Sequence, residues 1–182
     1  MVMPAVSPVS TIDELLALPE DGQRHELLDG VHAVTPSPAY GHQGLLARLQ
    51  FRLQLALAPH AHLQLLASPA DIILGPRTLV QPDLFVVRID PARPPTGWSD
   101  VGTPLLAIEI LSPSTAARDR GAKRRIYQAA GVAEYWIVDQ DARLVERWTP
   151  SDTRPEIVTD RLVWEPEPGV RIEIGIDGVV GG

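Results

Sequence analysis

The sequence predicts a mixed α/β domain, a central sheet flanked by helices, and three observations carry that reading. Short apolar runs recur at TLVQPDLFVVR, PLLAIEIL and AEYWIVD. Residues 42–57 repeat apolar positions at helical spacing, and 115–130 are helical in composition. That second stretch lies between PLLAIEIL and AEYWIVD, as in a strand, helix, strand crossover whose two strands run parallel. At 182 residues and 45% hydrophobic, the chain is long enough for one substantial core and short for two. Residues 11–182 therefore read as a single domain behind a flexible N-terminus at 1–10.

Taken in order, Thr11 and Glu14 have capping-box spacing at the start of a short helix carrying Leu15, Leu16 and Leu18, which Pro19 and Gly22 end. HELLDGVHAV reads as two short strands turning at Asp29-Gly30. From His42 to Leu57 an amphipathic helix is expected on Leu45, Leu46, Leu49, Phe51, Leu53, Leu55 and Ala56, with Pro59 beyond its end. Two strands follow at 62–74 and 78–88, then a proline-rich loop at 89–104, a strand at 104–111, a helix at 115–130 with Gly131 as its C-cap, and a strand at 133–139. RLVERW, EIVTDRLVW and VRIEIGIDG alternate in short pieces, as hairpins or edge strands do.

Composition removes several kinds of chemistry. With no cysteine there is no disulfide framework, no thiolate metal site and no thiol nucleophile. No HExxH, GxSxG, GxGxxG or phosphate-loop pattern occurs, and His25, His32, His60 and His62 lack zinc-ligand spacing. Sixteen Lys plus Arg against 23 Asp plus Glu give a net charge of -7, which opposes non-specific adhesion to nucleic acid or anionic lipid but leaves room for a local basic patch. No apolar run approaches the roughly 18 residues that span a bilayer, and no secretory leader is evident, so the expectation is a cytoplasmic protein without a membrane partner.

The residues able to do chemistry cluster around two acids. Asp83 and Glu109 each lie within an apolar strand segment, where a carboxylate is costly to bury without a cation or donors. Parity sets Asp83 with Phe85 and Val87 and Glu109 with Ala107 and Leu111, so both acids project beside the following helix. If the strands pair, both can reach one Mg²⁺ or Mn²⁺; otherwise each meets solvent or an arginine at a strand end. Lys123 is the chain's single lysine and shares a helix face with Asp119 and Tyr127. It either serves the acids, orienting water or offsetting phosphate charge, or forms a surface pair with Asp119. RDRGAKRR, with Arg118, Arg120, Lys123, Arg124 and Arg125, is either a phosphate-binding patch or, on the rival account, a solvated helix face or a set of pairs with the nearby acidic chain. Glu26 and His42 are distant in sequence but able to fold over this centre. Ser114 or Thr115 reads as a helix cap rather than a nucleophile, and the tyrosines and tryptophans as packing rather than base-stacking groups.

HELLDG, PSPAYGHQ, VQPDLFVV and, above all, EILSPSTAARDRGAKRRIYQAAGVAEYWIVD resemble the Uma family of putative restriction endonucleases over Thr11 to Arg171. The resemblance implies a restriction-endonuclease-like fold: a mixed β-sheet core flanked by helices, here with additional short strands near both ends. It implies metal-binding roles for Asp83, Glu109 and the Ile110 carbonyl, and Mg²⁺, or Mn²⁺ in its place, as the cofactor. Many nucleases of this superfamily carry lysine two residues after the second acid. This chain has Leu111 there, and the resemblance points to Lys123 instead. Glu26 matches an early acidic position; His42, Asp119 and Tyr127 match supporting positions, with Arg120 and Arg124 on the side of the substrate. The expected function is metal-assisted hydrolysis of DNA, with a homodimer suited to cutting two strands. The alternatives are an inactive binding or assembly domain and a hydrolase of a smaller phosphate ester.

Overall fold

The computed structural model describes residues 9–181 apart from the Ser99 side chain, so most of the N-terminal segment expected to be flexible lies outside the described residues. Thr11 closes a full capping box with Glu14 at the start of α1 (Ile12–Leu16). β1 (Arg24–Leu28) and β2 (Val31–Thr35) then pair antiparallel around Asp29 and Gly30. Both turn residues have positive φ, 53° and 81°, the mirror-image turn that Asp-Gly favours because glycine meets no steric penalty there. In α2 (Tyr40–Leu57) the buried residues are Leu45, Leu49, Leu53 and Leu57, one every four positions. Phe51 and Leu55, expected on that apolar face, are instead exposed, because a step of about 100° per residue carries them around to the outer side.

Two prolines divide what read as single strands. The segment 62–74 becomes β3 (Leu63–Ala67) and β4 (Ile72–Gly75), and 78–88 becomes β5 (Thr78–Val80) and β6 (Leu84–Arg88). Pro69 and Pro82 lie in the gaps, and a proline brings no N–H to a ladder. β3 still pairs with β6 and β4 with β5, so one long hairpin crosses from one sheet to another at the prolines. Ser68 fastens the corner: its N–H donates to the Asp83 carbonyl at 3.2 Å and its Oγ to the Pro82 carbonyl at 2.6 Å. Asp83 is thus not inside a strand, as expected, but at the bend where the hairpin changes sheets.

The remaining strands are β7 (Leu106–Ile110), β8 (Glu134–Asp139), β9 (Leu144–Trp148), β10 (Glu156–Val158), β11 (Arg161–Glu167) and β12 (Val170–Gly175), with α5 (Asp177–Val180) after them. A six-stranded sheet runs β10-β9-β8-β7-β6-β3, a four-stranded sheet β2-β1-β5-β4, and β11 pairs with β12. β7 and β8 are parallel, joined by the helical crossover that the sequence predicts. That crossover is not one continuous helix: α3 (Ala116–Arg118) passes through a π turn at Asp119–Lys123 into α4 (Arg124–Ala129). Thr115 stands at the N-cap position without capping the helix through its side chain, and its Oγ1 meets Ser112.

The six-stranded sheet buries both faces. On one, α2, the β11–β12 pair and α5 enclose Val86, Ile108, Trp136 and Trp164, the two indoles meeting edge to face at 5.8 Å. On the other, the crossover and the four-stranded sheet cover Phe85, Ala107, Tyr127 and Tyr135. Asp83 and Glu109 have the parity of this second face, as expected. No helix among the described residues is long and apolar enough to cross a membrane.

Leu53→Ala, at a fully buried site on α2, is expected to lower the unfolding free energy by about 2–5 kcal/mol in urea titration, because both contacts and volume are lost. Leu55→Ala, two residues along but exposed, is expected to change it by less than about 0.5 kcal/mol.

Candidate active site

β6 and β7 pair as Phe85↔Ala107 and Leu84↔Ile108, and one step past the last pair the same register sets Asp83 across from Glu109. Both carboxylates are buried, at 3% and 2% exposure. Like charges facing each other across strands repel, and burial weakens the screening by water, so the surrounding chain must supply cations and donors.

Around Asp83 it does so from three elements. Arg24, at the start of β1, donates from Nη1 to Oδ1 at 2.8 Å. His42, in the first turn of α2, lies with Nε2 at 3.1 Å from Oδ2, and the Ile110 N–H donates to the same oxygen at 2.8 Å. An ionised carboxylate only accepts, so the His42 proton sits on Nε2. Burial alone would raise the Asp83 pKa, but the His42 hydrogen bond, the Arg24 charge and the Ile110 N–H outweigh it and hold it well below the usual range.

Glu109 is balanced differently. Lys123 Nζ donates to its Oε1 at 2.6 Å and Tyr127 OH to the same atom at 3.1 Å. Burial pushes the Glu109 pKa up; Lys123 opposes this, Asp83, Asp119 and Glu26 reinforce it, and it comes to about 8. Lys123 itself has no exposed surface and pairs with Glu26 Oε1 at 2.8 Å. Burial favours the neutral amine, but Glu109, Glu26 and Asp119 together raise its pKa, so it stays an ammonium. The surface pair between Lys123 and Asp119 that the sequence allowed does not form: Asp119 is buried, with Oδ1 lacking a hydrogen-bond partner. Its carbonyl accepts from Tyr135 OH at 3.2 Å. Glu26 Oε1 also accepts from the Gln81 N–H at 2.7 Å, while its Oε2 has no hydrogen bond and stands 3.9 Å from Arg118.

The π turn is what brings Asp119 and Lys123 inward together. Its widened repeat carries the Arg124 N–H back to the Asp119 carbonyl, and Lys123 and Tyr127 then point at Glu109 from one face. The other basic residues of RDRGAKRR point elsewhere. Arg118 donates to Thr35 Oγ1, Arg120 to Glu146 and Asp139, and Arg124 stacks 4.8 Å over Trp148 while bonding Gln128. Of the readings the sequence left open for this run, pairing with nearby groups is the one these contacts resemble, and neither Arg120 nor Arg124 lines the cleft over the carboxylates. Arg24 was not singled out from the sequence. The available signal was the alternation in Arg24-His25-Glu26, which puts arginine and acid on one face of a strand.

A cleft of about 830 Å³ opens onto Asp83, Glu109, Arg24 and His42. Its wall is acidic, with Glu20, Asp21 and Asp71 beside the two central acids, and Arg24 is the one Arg or Lys among the described lining residues. Trp98, 46% exposed, stands at the same wall.

The donors suit a hard divalent cation, which prefers oxygen. Both hydrogen bonds to Glu109 fall on Oε1, leaving Oε2 without a donor among the described residues. Among the described residues, Asp83 Oδ1 is held by Arg24 alone. A strand residue directs its N–H and C=O to the same edge, so the Ile110 carbonyl leaves β7 on the side where its N–H meets Asp83. No group of three His, Cys, Asp or Glu side chains among the described residues forms a metal cage, so the two carboxylates need that backbone oxygen and water to complete a shell.

Residues 12–179 match the family described as "Uma2: Putative restriction endonuclease". The fold is similar to that in a crystal structure of a putative nuclease belonging to DUF820 from Anabaena variabilis, with a TM-score of 0.77 and 19% identity over 94% of this chain and 97% of that one. No curated protein matches the chain.

Lys123→Met leaves Glu26 and Glu109 buried without their cation, and is expected to cost about 3–5 kcal/mol in denaturant unfolding. Adding Glu26→Gln and Glu109→Gln removes the stranded charges and is expected to recover most of that loss. A second expectation concerns acid. Because the folded-state pKa of Asp83 is depressed, its contribution to stability is complete above the unfolded value of about 4 and is lost as pH falls below it. Between pH 5 and 3 the unfolding free energy of the wild type should therefore fall more steeply than that of Asp83→Asn.

Proposed function

The chain belongs to the Uma2 family of putative restriction endonucleases, and from that premise we propose that it hydrolyses phosphodiester bonds in DNA with a bound divalent cation, Mg²⁺ or Mn²⁺. The observation that carries the reading is the buried pair Asp83 and Glu109, set across from each other at the floor of an open cleft with an ammonium behind one and a guanidinium on the other.

Asp83, Glu109 and the Ile110 carbonyl would hold the cation. When bound, it supplies Lewis-acid polarisation of the phosphoryl oxygen and a water acidic enough to attack at neutral pH. The chain's own residues prepare for this. His42 and the Ile110 N–H fix Asp83 Oδ2 and keep that carboxylate ionised, so Oδ1 is the oxygen left to turn toward a ligand. Tyr127 and Lys123 hold Glu109 Oε1, which aims the carboxylate from behind. Lys123 and Glu26 are enclosed and do not line the cleft, so we assign to Lys123 the task of positioning Glu109 and offsetting charge from behind it, and to Glu26 that of holding the ammonium in place. The acidic cleft wall favours neither DNA nor a small phosphate ester in the absence of cations, so substrate binding and metal binding are coupled in this reading. One centre cuts one strand, and double-strand scission would then take two copies of the chain.

Purified protein is expected to nick and linearise supercoiled DNA in Mg²⁺ or Mn²⁺ and to leave it intact in EDTA. Asp83→Ala and Glu109→Ala, checked for folding by circular dichroism, are expected to lose at least about a hundredfold in rate. Metal binding by the wild type with no cutting of supercoiled, linear or single-stranded DNA would sink the DNA reading in favour of a smaller phosphate ester or a binding role.

A further inference from the structure

Arg24 is unusual among the charged groups at the carboxylate pair because it is both permanently cationic and partly open to the cleft, with 21% of its side chain exposed where Lys123 has none. Its Nη1 is the single hydrogen-bond donor to Asp83 Oδ1 among the described residues, whereas Oδ2 is already satisfied by His42 and the Ile110 N–H. The guanidinium also lies within the field of the second acid, Glu109, which together with Asp83 favours its charged form against burial. Arg24 therefore holds Asp83 from within the same cleft that Asp83 and Glu109 line.

A divalent cation held by Asp83 and Glu109 would compete with Arg24 for Asp83 Oδ1, because two cations at one oxygen repel each other. In the metal-free protein Arg24 pairs with Asp83, while Lys123 is shared between Glu109 and Glu26. A divalent ion in place of the guanidinium would add one positive charge to the centre, with a freed arginine in an otherwise acidic cleft. A guanidinium there presents a planar fork that matches two oxygens of a phosphate group.

We propose that Arg24 is the internal cation of the metal-free centre: it occupies Asp83 Oδ1 until a divalent ion displaces it, and after displacement it grips a non-bridging oxygen of the DNA backbone. This rests on the reading that Asp83 and Glu109 hold the metal. It adds a substrate-binding residue and makes metal entry the event that releases it. Binding of the ion and of the phosphate are then coupled through one side chain, since each favours the arrangement in which Arg24 has left Asp83.

The experiment begins with Mn²⁺ alone, followed by electron paramagnetic resonance, against wild type and Arg24→Gln. Removing the competing guanidinium is expected to tighten Mn²⁺ binding about tenfold, the scale of one charge-assisted hydrogen bond. A labelled DNA duplex is then titrated in Ca²⁺, where binding is read without turnover. Arg24→Gln should bind it more weakly, with the slope of log affinity against log salt reduced by about 1, while Arg24→Lys, which keeps the charge, should retain the slope. Should Arg24→Gln fail to fold, the guanidinium ¹⁵N–¹H resonance of Arg24 in the wild type, assigned with Arg24→Lys, is expected to shift on adding Mg²⁺. Equal Mn²⁺ affinity in wild type and Arg24→Gln, or a resonance unmoved at saturating Mg²⁺, overturns the displacement. If neither protein binds Mn²⁺, the metal assignment to Asp83 and Glu109 is itself wrong, and the role of Arg24 falls with it.

Discussion

Two carboxylates facing each other across adjacent strands, both out of water, are the constraint on which the rest of this centre depends. Left alone, such a pair would shed a charge or push the strands apart. The chain answers with unequal neighbours. Asp83 receives a guanidinium, an imidazole and a backbone N–H and remains an anion. Glu109 receives an ammonium and a phenol, lies deeper, and holds its proton far more readily. Two acids one register step beyond the same strand pair thus end with opposite pKa shifts, the usual mark of groups with different tasks.

Placing those neighbours takes most of the fold. β1 brings Arg24 and Glu26, the first turn of α2 brings His42, and the crossover from β7 to β8 brings Lys123 and Tyr127. The hairpin that carries Asp83 bends from one sheet to the other next to Pro82, which sets the carboxylate at a corner outside the strand ladder while it stays buried. The π turn does comparable work on the opposite side. It interrupts a short helix at the point where Asp119 and Lys123 turn inward, a distortion tolerated where surrounding contacts hold it in place. Buried ion pairs of this kind add little net stability compared with apolar packing, yet lose much when one partner is removed. Their presence in the middle of a well-packed molecule is therefore better explained by what the site does than by what holds the chain together.

Much of this was legible in the residues. Asp29-Gly30, the Thr11 capping box and the crossover ending at Gly131 are local signals, written in short-range sterics and hydrogen bonding, and each forms as read. Asp83 and Glu109 stood out because an acid in an apolar run has a cost that does not depend on the fold. The run RDRGAKRR left a phosphate patch and pairing with nearby acids both open, for the complementary reason. Adjacent residues on a helix point in different directions, so a dense cluster of charge in sequence became scattered pairs with Glu146, Asp139 and Thr35, and a stack on Trp148.

By itself the sequence determined the mixed α/β class, the family, the two acids and the lysine, since periodicity, turn chemistry and the cost of burying charge are properties of short segments. Only the tertiary structure decided that each long strand candidate divides between two sheets, that Lys123 is enclosed by Glu109 and Glu26, and that Arg24 stands at Asp83 across 59 residues of chain. Those outcomes depend on which segments become neighbours after folding. The charge of a side chain is written in its residue, but the partner that neutralises it is chosen by the packing of elements far apart in sequence.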